Sequence, residues 1–354
     1  VVDYVSGSTT NVLTFTYTVG AGETSSDLDY ASTTALALNG GTVKDAVGNN
    51  ATLTLAAVGA AGSLGANEAF VIDTTAPTIS AIGTGAFSWG AVLNEQETNS
   101  ATISVTTVGV EDGQTLSITF PTSSQIQSFS NTVTDNATTI NIDGHYLRST
   151  LTQGGALHTV TADVSDAAGN AAAQVTSSSF TMDRIAPTMT ITSTNSGVTD
   201  GSTTNDPTIA LTFTSSEVTT DFAEADITVS NGTISAFAST STTVYTATFT
   251  PTADGATTID VGGSTFTDAA GNNNTAATQF NWTYDGTAPS AFTVGAVSST
   301  GNTVVSNYWN STNTGIDVIV PVANDATLTG GTIQLRAGVP FGGWENLGTA
   351  YTIQ

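Results

Sequence analysis

The chain has 354 residues and is strongly acidic, with 29 Asp and Glu against four Lys and Arg and a formal net charge of −25. This charge excludes nucleic-acid binding, because phosphates need a basic surface, and it opposes binding to anionic membranes. Cysteine is absent, so disulfides do not stabilise the chain and bound metal ions become the usual substitute. No apolar run of 18 residues occurs, and the sequence therefore predicts no membrane-spanning segment.

Apolar residues alternate with Thr or Ser along much of the chain, which predicts β-strands with one buried and one wet face. Clusters of Gly, Asn and Asp separate these runs at short intervals, as in an all-β sandwich. Thr favours the extended backbone because it is branched at Cβ. In chain order the clearest runs are residues 13–19, 103–105, 116–120, 209–213 and 245–249.

A two-part phrase occurs three times. Its first half, Asp-Ala-(Val or Ala)-Gly-Asn, stands at 45–49, 166–170 and 268–272, and its second, Asp-Xaa-Xaa-Ala-Pro, at 73–77, 183–187 and 285–289. Gly and Asn suit a hairpin turn, while Pro ends a strand and stiffens a linker. Repetition at this interval indicates tandem domains. The predicted domains are 1–77 (partial, without its opening strands), 78–187, 188–289 and 290–354 (partial, without its closing strands).

Strand length places the two halves of the phrase at opposite ends of a domain. Thirteen residues separate Asn170 from Asp183, and at ~3.3 Å each they span ~43 Å, about one sandwich. The turn of each domain should therefore lie beside the linker that leaves the preceding domain. Asp73 is expected near Asp166 and Asn170, and Asp183 near Asp268 and Asn272. Asp45 and Asn49 would face a preceding domain, and Asp285 a following hairpin.

Carboxylates and amide oxygens are the hard ligands that Ca²⁺ prefers, and with no Cys and two His zinc or copper is a poor fit. The sequence thus predicts calcium at the domain junctions. The alternative is that each Asp caps its turn by hydrogen bonds and binds no metal. Weaker ligand candidates are Glu95, Glu97, Asp206 and Glu217. The predicted ligands are Asp73, Asp166, Asn170, Asp183, Asp268, Asn272, Asp45, Asn49 and Asp285.

Catalysis is not predicted. His145 follows Asp143-Gly144 in an expected turn and His158 begins an expected strand, and no nucleophile motif accompanies either one. Trp89, Trp309 and Trp344 lie in less regular stretches, where they either pack under loops or contact a carbohydrate.

These motifs together resemble the bacterial immunoglobulin-like repeats of giant surface adhesins. The resemblance covers nearly the whole chain, but four repeat types are represented. It implies tandem immunoglobulin-like β-sandwiches arranged as an elongated rod, extracellular, often calcium-bound, extending a distal adhesive domain of unknown target from the cell surface. The motifs are Ser-Ser-Asp-Leu-Asp-Tyr-Ala at 25–31, Leu-Ala-Leu-Asn-Gly-Gly-Thr at 36–42, Val-Glu-Asp-Gly-Gln-Thr at 110–115, the stretch 161–170, Ser-Glu at 216–217 with 226–233, and Asn-Tyr-Trp-Asn-Ser-Thr-Asn-Thr at 307–314.

The expected function is therefore a structural stalk whose partners are neighbouring repeats of the same chain. One alternative is a subunit of an extracellular filament or surface layer, in which copies of the chain join by strand exchange. A second is a set of accessory domains in a secreted polysaccharide-active enzyme, whose catalytic domain would lie outside these residues.

Overall fold

The computed structural model describes residues 2–8, 10–121, 126–322, 328, 330–338, 344–346 and 348–354. The chain divides into two compact units. The first comprises Val1–Met189, Ser215–Phe222 and Gly263–Ala276, and the second comprises Thr190–Thr214, Ala223–Gly262 and Ala277–Gln354. The four domain ranges expected from the sequence stay a prediction, because this division follows packing rather than chain order.

Residues 1–77 carry little regular structure. Two antiparallel pairs form there, β1 with β2 and β3 with β4. The predicted strand at 13–19 is regular only in its centre, and the apolar side chains of Leu13, Phe15 and Val19 are exposed. The strands are β1 (Asp3–Ser6), β2 (Thr14–Thr16), β3 (Thr24–Ser25) and β4 (Ile72–Asp73), and a short helix, α1, spans Leu64–Asn67.

Residues 78–187 form a β-sandwich of two antiparallel sheets, with strand orders β10-β7-β5 and β12-β11-β8-β9. The predicted alternation is observed, since every second side chain of β7 and β8 is buried. Leu116, Ile118 and Phe120 of β8 are fully buried in one continuous core. The strands are β5 (Thr78–Ile79), β6 (Val92–Leu93), β7 (Thr102–Val108), β8 (Thr115–Pro121), β9 (Ile126–Thr132), β10 (Ala137–Asn141), β11 (Thr161–Asp163), β12 (Val175–Thr176) and β13 (Thr181–Met182).

The following repeat is a second sandwich, with sheet orders β14-β16-β19-β18 and β15-β21-β20-β17. Phe249 and Trp282 meet edge to face in its core, with ring centroids 4.9 Å apart. The strands are β14 (Met189–Ser193), β15 (Ser202–Thr204), β16 (Ile209–Ser215), β17 (Ile227–Ser230), β18 (Gly232–Ser239), β19 (Val244–Pro251), β20 (Gly255–Val261) and β21 (Phe280–Tyr284). The structure thus confirms the all-β prediction.

One parallel pair recurs in both sandwiches and positions the residues discussed below. An early, short strand runs beside the last strand: β6 pairs with β13, and β15 with β21. In the first case the pairing continues to a hydrogen bond from the Asp183 N–H to the Leu93 carbonyl, at 3.0 Å. In the second, the Asp285 N–H donates to the Thr204 carbonyl, also at 3.0 Å. The segment after each early strand therefore lies beside a linker Asp.

A helix that the sequence did not predict, α2, spans Gly144–Thr150. Asp143 caps its first turn by accepting the Tyr146 N–H at 2.8 Å, as short polar residues commonly do. The expected turn at His145 was therefore wrong. Helix periodicity is not visible in so short a segment. Single 3₁₀ turns cover Thr84–Ala86, Glu97–Asn99 and Glu224–Asp226.

The described strands of residues 290–354 pair as two-stranded ladders, β22 with β23, β24 with β27 and β25 with β26. They are β22 (Val297–Gly301), β23 (Asn313–Val318), β24 (Thr332–Ile333), β25 (Arg336–Gly338), β26 (Trp344–Asn346) and β27 (Tyr351–Thr352). In the part of the chain that the structure describes, no helix is both long and apolar enough to cross a membrane.

Candidate metal centre

The three Asp-Ala-(Val or Ala)-Gly-Asn segments form the same hairpin, as predicted. In each, the Asp N–H donates to the Asn carbonyl at 3.0 or 3.1 Å, and the Gly N–H donates back to the Asp carbonyl at 3.1 or 3.2 Å. The glycines, Gly48, Gly169 and Gly271, have φ between 89° and 96°, a region that other residues rarely adopt.

The Asp carboxylate caps each hairpin from inside. Asp268 accepts the Ala270 N–H at 2.8 Å and the Asn272 N–H at 2.9 Å through Oδ1, and the Asn272 side-chain amide at 2.9 Å through Oδ2. Asp45 makes the same set with its own hairpin although it is exposed to solvent. Asp166 likewise accepts the Asn170 N–H through Oδ1 and the Asn170 side-chain amide through Oδ2. The recurrence of this Asp therefore has a structural cause that needs no metal.

The pKa values reflect the same caps. The Asn49 side chain and then its backbone N–H stabilise the ionised Asp45 and lower its pKa. Burial of Asp166 opposes ionisation, but hydrogen bonds from the Asn170 side chain and backbone outweigh it, and the pKa is lowered.

The hairpins reach the linkers that the sequence paired with them. The Asn170 side-chain amide donates to the Asp73 carbonyl at 3.1 Å, which defines the first junction. At the second junction, the Asn272 amide donates to the Asp183 carbonyl at 2.9 Å. Both junctions lie within the first compact unit.

Three of the predicted ligands, two acids and an amide, contact neither of these two junctions within the described chain. Asp45 and Asn49 bond only within their own hairpin among the described residues. The Asp285 carboxylate accepts the nearby Thr287 N–H at 3.2 Å.

At the second junction, three carboxylates converge. Oxygens of Asp183, Glu217 and Asp268 all lie within 4.8 Å of one another. Among the residues that the structure describes, no other group of three or more acidic, His or Cys side chains has this geometry. Glu217, which follows β16, was a weaker sequence candidate, and nothing in the repeated phrase indicated it. The three carboxylates are called the carboxylate cluster below.

The donor set fits a hard cation. Asp183 Oδ1 accepts hydrogen bonds from the Gln153 side chain at 2.8 Å and from the Ile185 N–H at 3.2 Å, and among the described residues no donor reaches its Oδ2. Within the described chain no hydrogen-bond donor reaches the Glu217 carboxylate. Burial, and then the charges of Asp183 and Asp268, raise the pKa of Glu217. Like charges at this spacing are costly, and a divalent cation removes that cost.

The Asn272 side chain makes hydrogen bonds through both of its polar atoms. Its amide oxygen accepts the Glu95 N–H at 2.9 Å, and its amide nitrogen donates to the Asp183 carbonyl and to Asp268. The side chain is only 1% exposed, and these bonds tie the hairpin to the segments around it. Its role as a metal ligand stays a prediction.

The carboxylates of the other weak candidates make other contacts. Glu95 pairs with Arg148 at 2.9 Å and with Arg184 at 3.3 Å. Glu97 accepts the Asn94 N–H at 3.0 Å. Asp206 accepts the Asn195 amide at 3.0 Å. At the first junction, Asp73 and Asp166 gain no third carboxylate within the described chain.

The aromatic candidates separate by burial. Trp89 is 5% exposed and stacks on Phe87 at 5.0 Å, so it packs in the core. Trp309 is 54% exposed. Trp344 belongs to β26, but its side chain lies outside the described residues. His158 bonds the Thr152 carbonyl at 3.0 Å.

Comparison with known proteins assigns the repeat that contains the carboxylate cluster. Residues 183–284 match the family model described as bacterial Ig-like domain. This part of the chain is therefore similar to bacterial Ig-like domains. The matched range begins at Asp183 and includes Glu217 and Asp268, so the whole carboxylate cluster lies within it.

Solved structures with detectable similarity are also modular. One is a tetra-tandem repeat from the extending region of a large adhesion protein, at 20% identity over 74% of both chains with a TM-score of 0.22. Another comprises fibronectin(III)-like modules of CbhA from Clostridium thermocellum, at 14% identity over 59% of this chain and 93% of that one, with a TM-score of 0.26. A third is invasin, a bacterial integrin-binding protein, at 17% identity over 62% of this chain and 42% of that one, with a TM-score of 0.22. No curated protein shows significant sequence similarity to the chain.

Proposed function

We propose that the chain is a structural segment of a large exported bacterial surface protein of the adhesin type. In this proposal its Ig-like repeats act as a non-catalytic stalk outside the cell, and calcium stiffens the second junction. The observation that carries the calcium part is the convergence of Asp183, Glu217 and Asp268 within 4.8 Å. The family match at residues 183–284 supports the structural part.

The three carboxylates would hold the ion, and backbone carbonyls and water would complete the six to eight oxygens that Ca²⁺ takes. Each carboxylate comes from a different segment: the linker, the residues after β16, and the hairpin. An ion bound to all three would tie the hairpin at 268–272 to the linker at 183–187. Asp268 would serve twice, as hairpin cap and as ligand, because each carboxylate oxygen has more than one lone pair.

Calorimetric titration with CaCl₂ tests the metal site. We expect saturable binding that is lost in the double variant Asp183→Asn with Glu217→Gln. The matched control is Asp45→Asn, which changes an identical hairpin that has no carboxylate cluster. Binding of equal stoichiometry in the double variant would refute the site at the second junction.

The cellular part needs a separate measurement. We expect antibodies against the chain to label the surface of intact cells of the source organism in immuno-electron microscopy. Label confined to the interior of sectioned cells would overturn the proposal of an exported stalk.

A second candidate, self-association of chains, is favoured by one observation. The apolar face of residues 13–19 is exposed at Leu13, Phe15, Tyr17 and Val19, although the sequence alternates as a half-buried strand does. Such a face and edge are suited to pairing with another chain. Electron microscopy of the purified chain separates the candidates: a regular filament or lattice supports assembly, and isolated particles support the stalk.

A further inference from the structure

A short loop at the second junction holds the hairpin at 268–272 by contacts that need no metal. Pairing of β6 with β13 places Asn94 and Glu95 directly beside Asp183. Asn94 donates its side-chain amide to the Ala270 carbonyl at 3.0 Å. Glu95 donates its backbone N–H to the Asn272 amide oxygen at 2.9 Å. Residues 94 and 95 are called the docking loop below.

The docking loop is rigid before any partner is considered. The Asn94 side-chain oxygen accepts the Glu97 N–H at 2.9 Å, and the Glu97 carboxylate accepts the Asn94 N–H at 3.0 Å. These reciprocal bonds fix the direction of the Asn94 amide, which is 7% exposed. A fixed donor loses little conformational entropy when it binds.

Two of the four basic residues of the chain hold the other half of the loop. Arg148 donates to Glu95 Oε1 at 2.9 Å, and Arg184 donates to Glu95 Oε2 at 3.3 Å. In this acidic chain, two of the few basic side chains thus pair with the same carboxylate. Their effect is to anchor Glu95, whose backbone N–H points at the hairpin.

We propose that the docking loop is a recognition surface for an Asp-Xaa-Xaa-Gly-Asn hairpin of a following repeat. It binds two acceptors of such a hairpin, the backbone carbonyl of the residue before Gly and the side-chain oxygen of the terminal Asn. The surface holds the hairpin in the absence of calcium, because its contacts to Ala270 and Asn272 use none of the three clustered carboxylates.

The parallel strand pair recurs in the next repeat, and the positions beside its linker Asp differ in part. Pairing of β15 with β21 places Asn205 and Asp206 beside Asp285, in the positions that Asn94 and Glu95 occupy beside Asp183. Asn205 is exposed, but the Asp206 N–H donates to the Thr204 hydroxyl at 3.1 Å. Only the Asn of the docking loop therefore has an exposed counterpart there.

At the first junction, the described residues include no counterpart of the docking loop. There the linker strand β4 pairs with β3 in antiparallel orientation, and within the described chain no short parallel strand brings an Asn beside Asp73. Within the described chain, the one hydrogen bond that joins the hairpin at 166–170 to this linker is that from Asn170 to the Asp73 carbonyl. A cleft of 860 Å³ lies alongside, lined by residues that include Pro77 and Val108. The first junction is therefore the looser of the two.

Hydrogen exchange of the full chain in excess EDTA, followed by mass spectrometry, tests the proposal. Asn94→Ala should speed exchange in peptides covering 263–276 by about tenfold, the equivalent of one to two lost hydrogen bonds, and leave 163–173 unchanged. The matched control is Glu111→Ala, which removes the acceptor of the Ala167 N–H at 2.9 Å. This control should loosen 163–173 and spare 263–276.

Unchanged exchange of 263–276 in the Asn94→Ala protein would overturn the proposal. So would wild-type protein that protects 263–276 only after calcium is added, an outcome that leaves the metal proposal standing. If the Asn94→Ala protein exchanges its amide hydrogens faster throughout, including in β7 and β8, the variant is globally destabilised. Glu95→Gln is then tested in its place, because it weakens the ion pairs with Arg148 and Arg184 and keeps the side-chain shape. Global loosening without a selective effect in Glu95→Gln also counts against the docking loop.

Discussion

Replacement of Glu217 by Gln should change the stability of the protein in opposite directions with and without calcium. Without the ion, Glu217 is destabilising, because burial and the charges of Asp183 and Asp268 raise its pKa. Raising the pKa of an acid in the folded state means that stability falls as pH rises from the unfolded value of 4.5 through the folded one. The Gln side chain removes this cost and should stabilise the metal-free protein at neutral pH.

The carboxylate geometry sets the size of the effect. The oxygens lie within 4.8 Å of one another, and at that limit two unit charges repel by about 0.9 kcal/mol in water-like surroundings. Glu217 is half-buried, so solvent screening is appropriate, and two such pairs give about 1–2 kcal/mol. With calcium at a hundred times its dissociation constant, the bound ion contributes about 2.7 kcal/mol. Loss of a ligand removes much of that contribution, so the sign of the substitution reverses.

Differential scanning calorimetry at neutral pH, with EDTA or with CaCl₂, measures both signs. For a domain of this size, about 1 kcal/mol corresponds to a Tm change of about 4–8 °C. Glu224→Gln is the matched control, because Glu224 is exposed and lies outside the carboxylate cluster, and we expect no change of sign. An identical Tm shift for Glu217→Gln in EDTA and in calcium would refute the reasoning.

The hairpin caps lead to two further predictions. Asp268→Ala should lower the free energy of unfolding in EDTA by about 3 kcal/mol, since three hydrogen bonds to a buried carboxylate are lost. Asp45→Ala changes an exposed copy of the turn and should lower it clearly less. Equal losses of unfolding free energy in urea titrations would show that burial does not set the cost. Asp166, whose pKa the Asn170 hydrogen bonds lower, should contribute stability above pH 3.8 that is lost as pH falls through its folded pKa, and ¹³C-NMR titration of its carboxyl should give a midpoint below 3.8.

The sequence predicted the parts of this molecule that depend on neighbouring residues. Strand alternation at 116–120 and 209–213 gave the buried faces of β8 and β16, because side chains alternate with period two whatever the tertiary context. The turn at 166–170 was predictable from its Gly and Asn, which accept the conformation that it needs. Strand length then placed this turn beside Asp73.

What depends on strand order was not predictable from these local signals. Glu217 is distant in sequence from Asp183 and Asp268, and no local sequence pattern links an isolated acid in a polar stretch to residues that lie near it only in the fold. The docking loop is hidden for the same reason. Asn94 reaches its hairpin only because β6 runs parallel to β13, and the pairing of two-residue strands has almost no sequence signal.

The repeated phrase and the chemistry at the junctions therefore have different origins. Asp45, Asp166 and Asp268 make the same turn, and the turn forms even where the hairpin is exposed. The need to fold this turn is therefore enough to explain why the residues repeat. The features that distinguish the second junction, Glu217 and Asn94, lie outside the phrase. Since neither has a counterpart at the first junction within the described chain, two junctions with the same repeated residues should differ in strength. We therefore expect the strength of each junction to depend on residues that do not repeat.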